Sequence, residues 1–238
     1  MEKKKDRSGG PISPAEAVSF AERKLLLSDE TLQKDGYTVM PDGTGYVSNT
    51  TRMTGVTPEM IDWYIAWRGL APQNYAAVNP EKHISAVSMQ KERFDDEDLT
   101  GAEKYWDTTQ TVIQNGPMGP CTEYVNFKCP SDVGFDMDAL KSGNTAGLVC
   151  ARVYAEGQPP QAGPDYFVCH RMIKTDGGIE IRSGYWIGWT VRYGKDYKQL
   201  PDGFCMPPVF AMEILMKNRQ EMADLAGVLP GLYAKNYT

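Results

Sequence analysis

The sequence predicts an α+β fold in which a curled antiparallel sheet surrounds a long C-terminal helix. Three observations support this prediction: helical patterns come first, several β-prone segments and a long hairpin follow, and one long apolar helix comes last. The 238 residues are 41% hydrophobic and 24% charged, as in a globular protein with a sizeable core. In such an arrangement, a cavity between the helix and the sheet is the natural ligand site.

The beginning of the chain predicts a tail and two helices. Residues 1–12 are expected to be a flexible tail, and residues 13–238 a single domain. Residues 14–27 are typical of a helix. Residues 57–70 form the clearest helix, because Thr57 is a favourable N-cap and apolar residues recur along one face.

The second helix carries three aromatic residues that could reach a ligand: Trp63, Tyr64 and Trp67. Aromatic residues at helical spacing more often pack in the core, so core packing is the favoured interpretation for the two tryptophans.

The middle of the chain predicts loops and strands. Residues 74–83 and 94–103 are expected to be loops, and the second is acidic but lacks the spaced oxygen ligands of an EF-hand. Strands are expected at residues 46–49, 109–115, 122–128 and 147–154.

Residues 165–193 predict two antiparallel strands joined at a tight turn. The turn is expected at Asp176, Gly177 and Gly178, because glycine tolerates the positive φ that such turns require. Beyond the turn, apolar and polar residues alternate as in a strand with two different faces.

The register of this hairpin decides which side chains share a face. A three-residue loop pairs Lys174 with Gly178 and places His170 opposite Arg182, whereas a slip by one residue places His170 opposite Ile181. In the first register, four side chains would form a polar and aromatic pocket wall: His170, Glu180, Arg182 and Trp186. The alternative is a polar face directed at solvent.

The final helix is expected at residues 209–227. It is rich in apolar residues, and Glu213, Lys217 and Glu221 are spaced four apart along it. Such a charge ladder on an exposed helix face stabilises the helix by about 0.2–0.5 kcal/mol per pair.

Composition excludes several classes of protein. A net charge of −6 and a pI near 5.1 argue against a general nucleic-acid binder. No run approaches the roughly 18 apolar residues of a membrane span, and no apolar segment follows the basic N-terminus, so neither a membrane partner nor a secretory signal is expected. Five cysteines without CxxC spacing predict free thiols and a cytoplasmic protein.

Several short segments between residues 43 and 233 each carry little information alone, but their order and spacing together are specific for one family. They are 55–63, Trp67 with Gly69, 79–83, Pro130 with 134–136, His170, 182–183 with 186–188, and 229–233. Together they resemble the 2,4-diacetylphloroglucinol hydrolase and phloretin hydrolase family. The resemblance implies a helix-grip fold, similar to START and birch-allergen domains.

The resemblance also implies an activity: zinc-dependent hydrolysis of a carbon–carbon bond beside a ketone on a phenolic ring. The metal would polarise the carbonyl and supply a nucleophilic water, while a histidine handles the proton. His170 matches the histidine near the pocket of that family.

The ligands that the resemblance implies are present in part. His83 stands at a histidine ligand position and Gln114 where a glutamate is expected. Lys217 and Glu221 stand where the family has a His-x-x-x-Glu pair, and Arg68 replaces a further histidine.

Two of the four implied ligands therefore remain, His83 and Glu221, and Glu123 is the nearest alternative carboxylate. Zinc prefers a tetrahedral set with three protein ligands even in open catalytic sites, and a protonated Lys217 would repel it. The chain has two histidines in all, so no other alignment can supply a third.

The sequence leaves three functions open: a hydrolase acting on an aromatic polyketide or flavonoid-like ketone, a metal-free lyase, isomerase or cyclase in which Lys217 replaces the metal, and a binding protein for a small aromatic ligand. The catalytic candidates are His170, Arg182 and Lys217. The pocket candidates are Trp63, Tyr64, Trp67, Arg68, Gln114, Glu123 and Trp186. A homodimer is compatible with the many aromatic residues.

Overall fold

A computed structural model describes residues 9–29, 34–116, 119–155 and 164–237. The strands are β1 (Gly36–Val39), β2 (Gly45–Thr54), β3 (His83–Ser88), β4 (Thr109–Gly116), β5 (Gly119–Lys128), β6 (Gly147–Ala155), β7 (Tyr166–Thr175), β8 (Gly178–Ile187), β9 (Trp189–Arg192) and β10 (Lys195–Lys198). The α-helices are α1 (Pro58–Arg68), α2 (Pro72–Ala76), α3 (Met137–Ser142) and α4 (Pro208–Asn236).

Eight of these strands form one antiparallel sheet in the order β1-β2-β8-β7-β6-β5-β4-β3, and β9 pairs with β10 in a small second sheet. One face of the large sheet packs against α4 and α1, with Ala211, Leu215 and Leu229 of α4 fully buried. The predicted α+β class and the helix-grip fold are confirmed.

A second apolar core lies on the opposite face of the sheet. It joins the N-terminal segment to β2, β6, β7 and β8 through residues such as Phe20, Phe167 and Trp186. The sheet is therefore covered on both faces along these strands, which agrees with their long buried runs.

The register of the β7–β8 hairpin differs from the predicted one. Thr175 pairs with Gly178, so the loop has two residues, and Gly177 takes a φ of 78°. His170 consequently lies opposite Ser183, not Arg182. Because directly opposed residues share a face and the side-chain period is two, this one-residue shift moves the following side chains to the face away from His170: Glu180, Arg182 and Trp186.

Gly188 ends the second strand of the hairpin earlier than predicted. Its φ of 87° lies in the left-handed region, and the chain continues as β9 in the other sheet.

The final helix is longer than predicted, because it runs through Pro230 to Asn236. Proline removes one helical hydrogen bond, but packing around it compensates: Leu229 is fully buried, and the ring of Tyr233 meets Trp63 edge-on at 5.2 Å.

Several predicted elements have different local forms. Residues 14–27 form two 3-10 helices, Pro14–Glu16 and Phe20–Leu27, instead of one α-helix. The predicted loop at residues 74–83 contains the end of α2 and the first residue of β3. Further 3-10 turns occupy the following segments: Lys91–Phe94, Gly101–Lys104 and Pro130–Val133.

The N-terminal end packs on the sheet. Residues 1–8 of the predicted tail lie outside the described residues, while Pro11 forms a bridge with Tyr37 and Ile12 is buried. In the described part of the chain, no helix has the length and apolar character needed to cross a membrane.

Candidate active site

A cavity lies between the inner face of the sheet and the helices α1 and α4. Its walls are largely apolar: Val112, Val125, Phe127, Val149, Val153, Val168, Met172, Ile181, Ile214, Met222 and Leu225. Polar side chains enter from several elements: Tyr64, Arg68, Tyr75, His83, Glu123, Tyr166, His170, Tyr185, Lys217, Asn218 and Glu221. Apolar walls with a few convergent polar groups are typical of a small-molecule site.

An ion pair crosses this cavity from α4 to β5. The ammonium Nζ of Lys217 donates to Oε2 of Glu123 at 2.6 Å, and the amide Nε2 of Gln114 donates to the same oxygen at 2.6 Å. The two charged side chains are 25% and 19% exposed. Glu221 follows Lys217 by one helical turn and also lines the cavity.

The charges near Lys217 and Glu221 shift the pKa values of both side chains. Burial alone would lower the pKa of Lys217, but Glu123 and Glu221 together raise it above its usual value, so the ammonium stays protonated. Burial raises the pKa of Glu221, and the charge of Lys217 partly opposes that shift.

His83 is buried at the start of β3. Its ring stacks on Tyr75 with 3.9 Å between centroids, and its Nδ1 lies 3.3 Å from the carbonyl oxygen of Tyr75. Since a carbonyl can only accept, Nδ1 carries the proton and Nε2 keeps its lone pair. Among the described residues, this buried Nε2 has no hydrogen-bond partner, and burial lowers the pKa of His83 to about 4.

His170 lies on β7, where alternation directs its side chain into the cavity. Its Nδ1 is 2.8 Å from the hydroxyl of Ser183, and its ring meets Tyr185 edge-on at 5.7 Å. Burial, followed by the nearby charge of Arg68, lowers the pKa of His170 to about 4. Both histidines of the chain are therefore neutral near pH 7.

Arg68, at the end of α1, is a fixed cation in an aromatic environment. Its Nε donates to Oε1 of Gln110 at 2.9 Å, and its guanidinium lies within 5.8 Å of the ring centres of Tyr64, Tyr75 and Phe127. Burial raises the pKa of Tyr64 to about 12, so its phenol stays neutral beside this charge.

A buried amide network anchors α4 beside the ion pair. The amide of Asn49 donates to Asn218 Oδ1 at 3.0 Å, and Asn218 Nδ2 donates to the hydroxyl of Tyr185 at 2.6 Å. The sequence interpretation missed Tyr75, Asn218 and the two tyrosines of the hairpin. For Tyr166 a signal existed, since it lies four residues before His170 on β7 and therefore shares its face, whereas Tyr185 reaches that face only in the observed register.

Seven of the candidate residues from the sequence line the cavity in the structure: Tyr64, Arg68, His83, Glu123, His170, Lys217 and Glu221. Gln114 reaches the site through its hydrogen bond to Glu123. Glu213, the third member of the predicted charge ladder, is exposed on α4.

Four other candidates lie outside the cavity. Arg182 is on the opposite face of the sheet, where its Nε donates to Glu180 at 3.0 Å. Trp186 belongs to the second core and donates to the carbonyl of Val18 at 2.8 Å. Trp63 and Trp67 stack on each other at 4.9 Å, which agrees with their interpretation as packing residues.

Comparison with known proteins decides the family. A model of the family described as DAPG hydrolase PhiG domain matches residues 18–234. The chain belongs to this family. The family membership expected from the sequence segments is thereby confirmed.

Two relatives in this family have hydrolase names. The phloretin hydrolase of Eubacterium ramulus is 31% identical over 233 residues, which cover 95% of this chain and 82% of the relative. A 2,4-diacetylphloroglucinol hydrolase of a Pseudomonas species is 23% identical over 219 residues, covering 88% and 74% of the two chains. These relatives support the expectation that the protein is an enzyme.

The solved structure of Ara h 8.0201 shares the fold. It matches with a TM-score of 0.50 and 10% identity, over 79% of this chain and 98% of that one. At this identity the match concerns the fold alone.

The donor set in the cavity does not fit the zinc ion that the resemblance implies. Among the described residues, no group of three or more His, Cys, Asp or Glu side chains is arranged to hold a metal. Glu123, the alternative carboxylate, already accepts from Lys217 and Gln114 through one oxygen. The Lys217 ammonium stands beside the remaining donors, where its charge opposes a second cation.

Proposed function

We propose that the protein is a hydrolase that cleaves the carbon–carbon bond between a phenolic ring and an adjacent ketone carbonyl. The proposed substrates are acylphloroglucinols or dihydrochalcone-like compounds from aromatic polyketide or flavonoid chemistry. The observation that carries this proposal is a largely apolar cavity lined by two neutral histidines and two partly buried cations, Lys217 and Arg68, in a chain of the DAPG hydrolase family.

The cavity offers complementary surfaces for such a substrate. Its valine, isoleucine and tyrosine walls suit an aromatic ring, and the guanidinium of Arg68 can pair with a phenolate oxygen. The negative charge that develops on the ring as the bond breaks would be delocalised onto a phenolate oxygen conjugated with that bond. By pairing with this oxygen, Arg68 would stabilise the departing ring.

His170 is the proposed acid–base group for the ring carbon. In the free protein burial keeps it neutral, and an anion forming beside it would raise its pKa and allow it to carry a proton. Its contact with Ser183 on the neighbouring strand fixes the position of its ring.

A second candidate is a metal-free lyase, isomerase or cyclase on a related phenolic ligand. The observation that favours it is the Lys217–Glu123 pair inside the cavity, because a buried ammonium can also stabilise an enolate without any hydrolysis.

The test is a product assay with purified protein. Phloretin and 2,4-diacetylphloroglucinol are incubated separately, and the free phenol and the carboxylic acid are quantified by liquid chromatography with mass spectrometry. Formation of both products in equal amounts, reduced in His170→Ala, is the expected result. Ligand binding without any products would contradict hydrolysis and favour a binding protein.

The proposed compartment is the cytoplasm. All five cysteines are free thiols, and Cys150 and Cys169 are fully buried, so the structure does not use disulfides for stability.

A further inference from the structure

We propose that the Lys217 ammonium, held between two carboxylates, replaces the metal of this family as the group that polarises the substrate carbonyl. This inference rests on the proposed function, since it concerns the same bond cleavage in the same cavity. It follows from the disagreement between the donor set and the zinc site that the resemblance implies.

The position of Lys217 is fixed by its partners. Glu123 accepts from Lys217 at 2.6 Å while Gln114 donates to the same oxygen, so the carboxylate that receives the ammonium is itself held in place. Asn218, the next residue on α4, is tied to Asn49 and Tyr185. A group that stabilises developing charge is most effective when it is positioned in advance in this way.

The ammonium has capacity left for a substrate. It carries three N–H donors, and Glu123 is its hydrogen-bond acceptor among the described residues. Lys217 also lines the cavity, so a further N–H can be directed at a carbonyl oxygen placed there.

The charges of the cavity are already balanced. Glu123 and Glu221 face the permanent cations Lys217 and Arg68, so the four groups sum to zero when all are ionised. A divalent ion would add two positive charges to this set and would compete with Lys217 for Glu123. Displacing Lys217 would leave its own charge buried without a partner.

His83, freed from a ligand role, can act as the base. Its Nδ1–H is directed at the carbonyl of Tyr75, and its Nε2, which has no hydrogen-bond partner among the described residues, holds the lone pair that accepts a proton from water.

The reaction then needs no reagent other than water. The water oxygen attacks the carbonyl carbon, its proton passes to Nε2 of His83, and the carbonyl π pair moves to oxygen beside the Lys217 ammonium. When the carbonyl re-forms, the carbon–carbon bond breaks and its electron pair stays on the ring carbon. The ring carbon receives, through His170, the proton that His83 took from the water, which gives the free phenol and a carboxylic acid.

The first experiment measures zinc and does not depend on any substrate. Wild-type protein and Lys217→His are each incubated with zinc, passed through a desalting column and analysed for metal by mass spectrometry. In Lys217→His, the new imidazole joins Glu221 at i, i+4 and His83, which gives three ligands. The expected result is about one zinc per chain in the variant and little in the wild type. Equal zinc content in the two proteins would overturn the inference.

The second experiment measures turnover on the substrate found in the product assay. Lys217→Met should lower kcat by about 10²–10³-fold with a smaller change in KM, as expected for loss of one group that stabilises an oxyanion. Lys217→Arg keeps the charge and should retain more activity, and Glu213→Gln, an exposed change on the same helix, is the matched control. Wild-type activity should survive dialysis against a chelator.

Two results would overturn the inference in this second experiment: unchanged kcat in Lys217→Met, or loss of wild-type activity to the chelator with recovery on adding zinc. If no phenolic ketone is cleaved at all, the proposed function fails, while the zinc measurement still reports whether Lys217 excludes a metal.

Discussion

Removing the charge of Lys217 should destabilise the protein in a pH-dependent way. Lys217→Met keeps the length of the side chain but leaves Glu123 and Glu221 in the cavity without their shared cation. Breaking a buried ion pair by removing one partner costs about 3–5 kcal/mol. The side chains of Lys217 and Glu123 are 25% and 19% exposed, so roughly three-quarters of that range applies, or about 2–4 kcal/mol. For a chain of this size the unfolding temperature should fall by roughly 4–16 °C.

The sign of the pH dependence follows from Glu221. Burial raises its pKa in the folded protein, and Lys217 opposes that shift, so the variant should raise the pKa further. A carboxyl group with a folded-state pKa above the unfolded value favours folding at low pH, and this contribution is lost as pH rises through the folded pKa. The deficit of the variant should thus be larger at about pH 8 than at about pH 5.

The assay is thermal unfolding by circular dichroism of three proteins across this pH range: wild type, Lys217→Met, and Lys217→Met combined with Glu123→Gln. The double variant removes one of the two carboxylates that lose their cation in Lys217→Met, and it should recover part of the lost stability at high pH. A deficit that is the same at both ends of the pH range, or a double variant less stable than the single one, would refute the reasoning.

Three further predictions test other parts of the structure. His83→Gln should lower kcat by about 10²–10⁴-fold in steady-state kinetics, and wild-type kcat/KM should fall only as pH drops toward about 4, where His83 gains its proton. Thr57→Ala removes the side chain that accepts from the amide of Met60, so the free energy of unfolding should fall by about 1 kcal/mol in urea titrations. Arg182→Gln should leave kcat nearly unchanged, because Arg182 lies on the face opposite the cavity, and a large loss there would contradict the observed register.

Local signals in the sequence were sufficient for much of the architecture. Thr57 begins α1 as expected, because an N-cap acts within one helical turn and needs no distant partner. Alternation of apolar residues placed strands close to β4, β5, β6 and β7, since the strand period of two is visible in any half-buried sheet. The hairpin turn was also found, through its two glycines.

The hairpin register could not be fixed in the same way. A two-residue and a three-residue loop are both compatible with Asp176-Gly177-Gly178, and the choice depends on which faces of β7 and β8 are buried by other elements. Here Trp186 packs with the N-terminal segment in the second core, and this contact between residues 168 positions apart lies beyond any local pattern. Without this contact, the alternation pattern predicts Arg182 and Trp186 on the pocket wall, whereas the observed register places both on the opposite face.

Residue identities and their spacing along single elements were enough to predict the family, the α+β class and most of the polar residues that line the cavity. The sequence also showed that the chain has two histidines, which limits any metal site. How those residues come into contact depends on the packing of elements that are distant in the sequence. Glu123 and Lys217 are 94 positions apart, and they form an ion pair because β5 and α4 pack on opposite sides of one cavity. In this partly buried place, either charge without the other would carry a large free-energy cost.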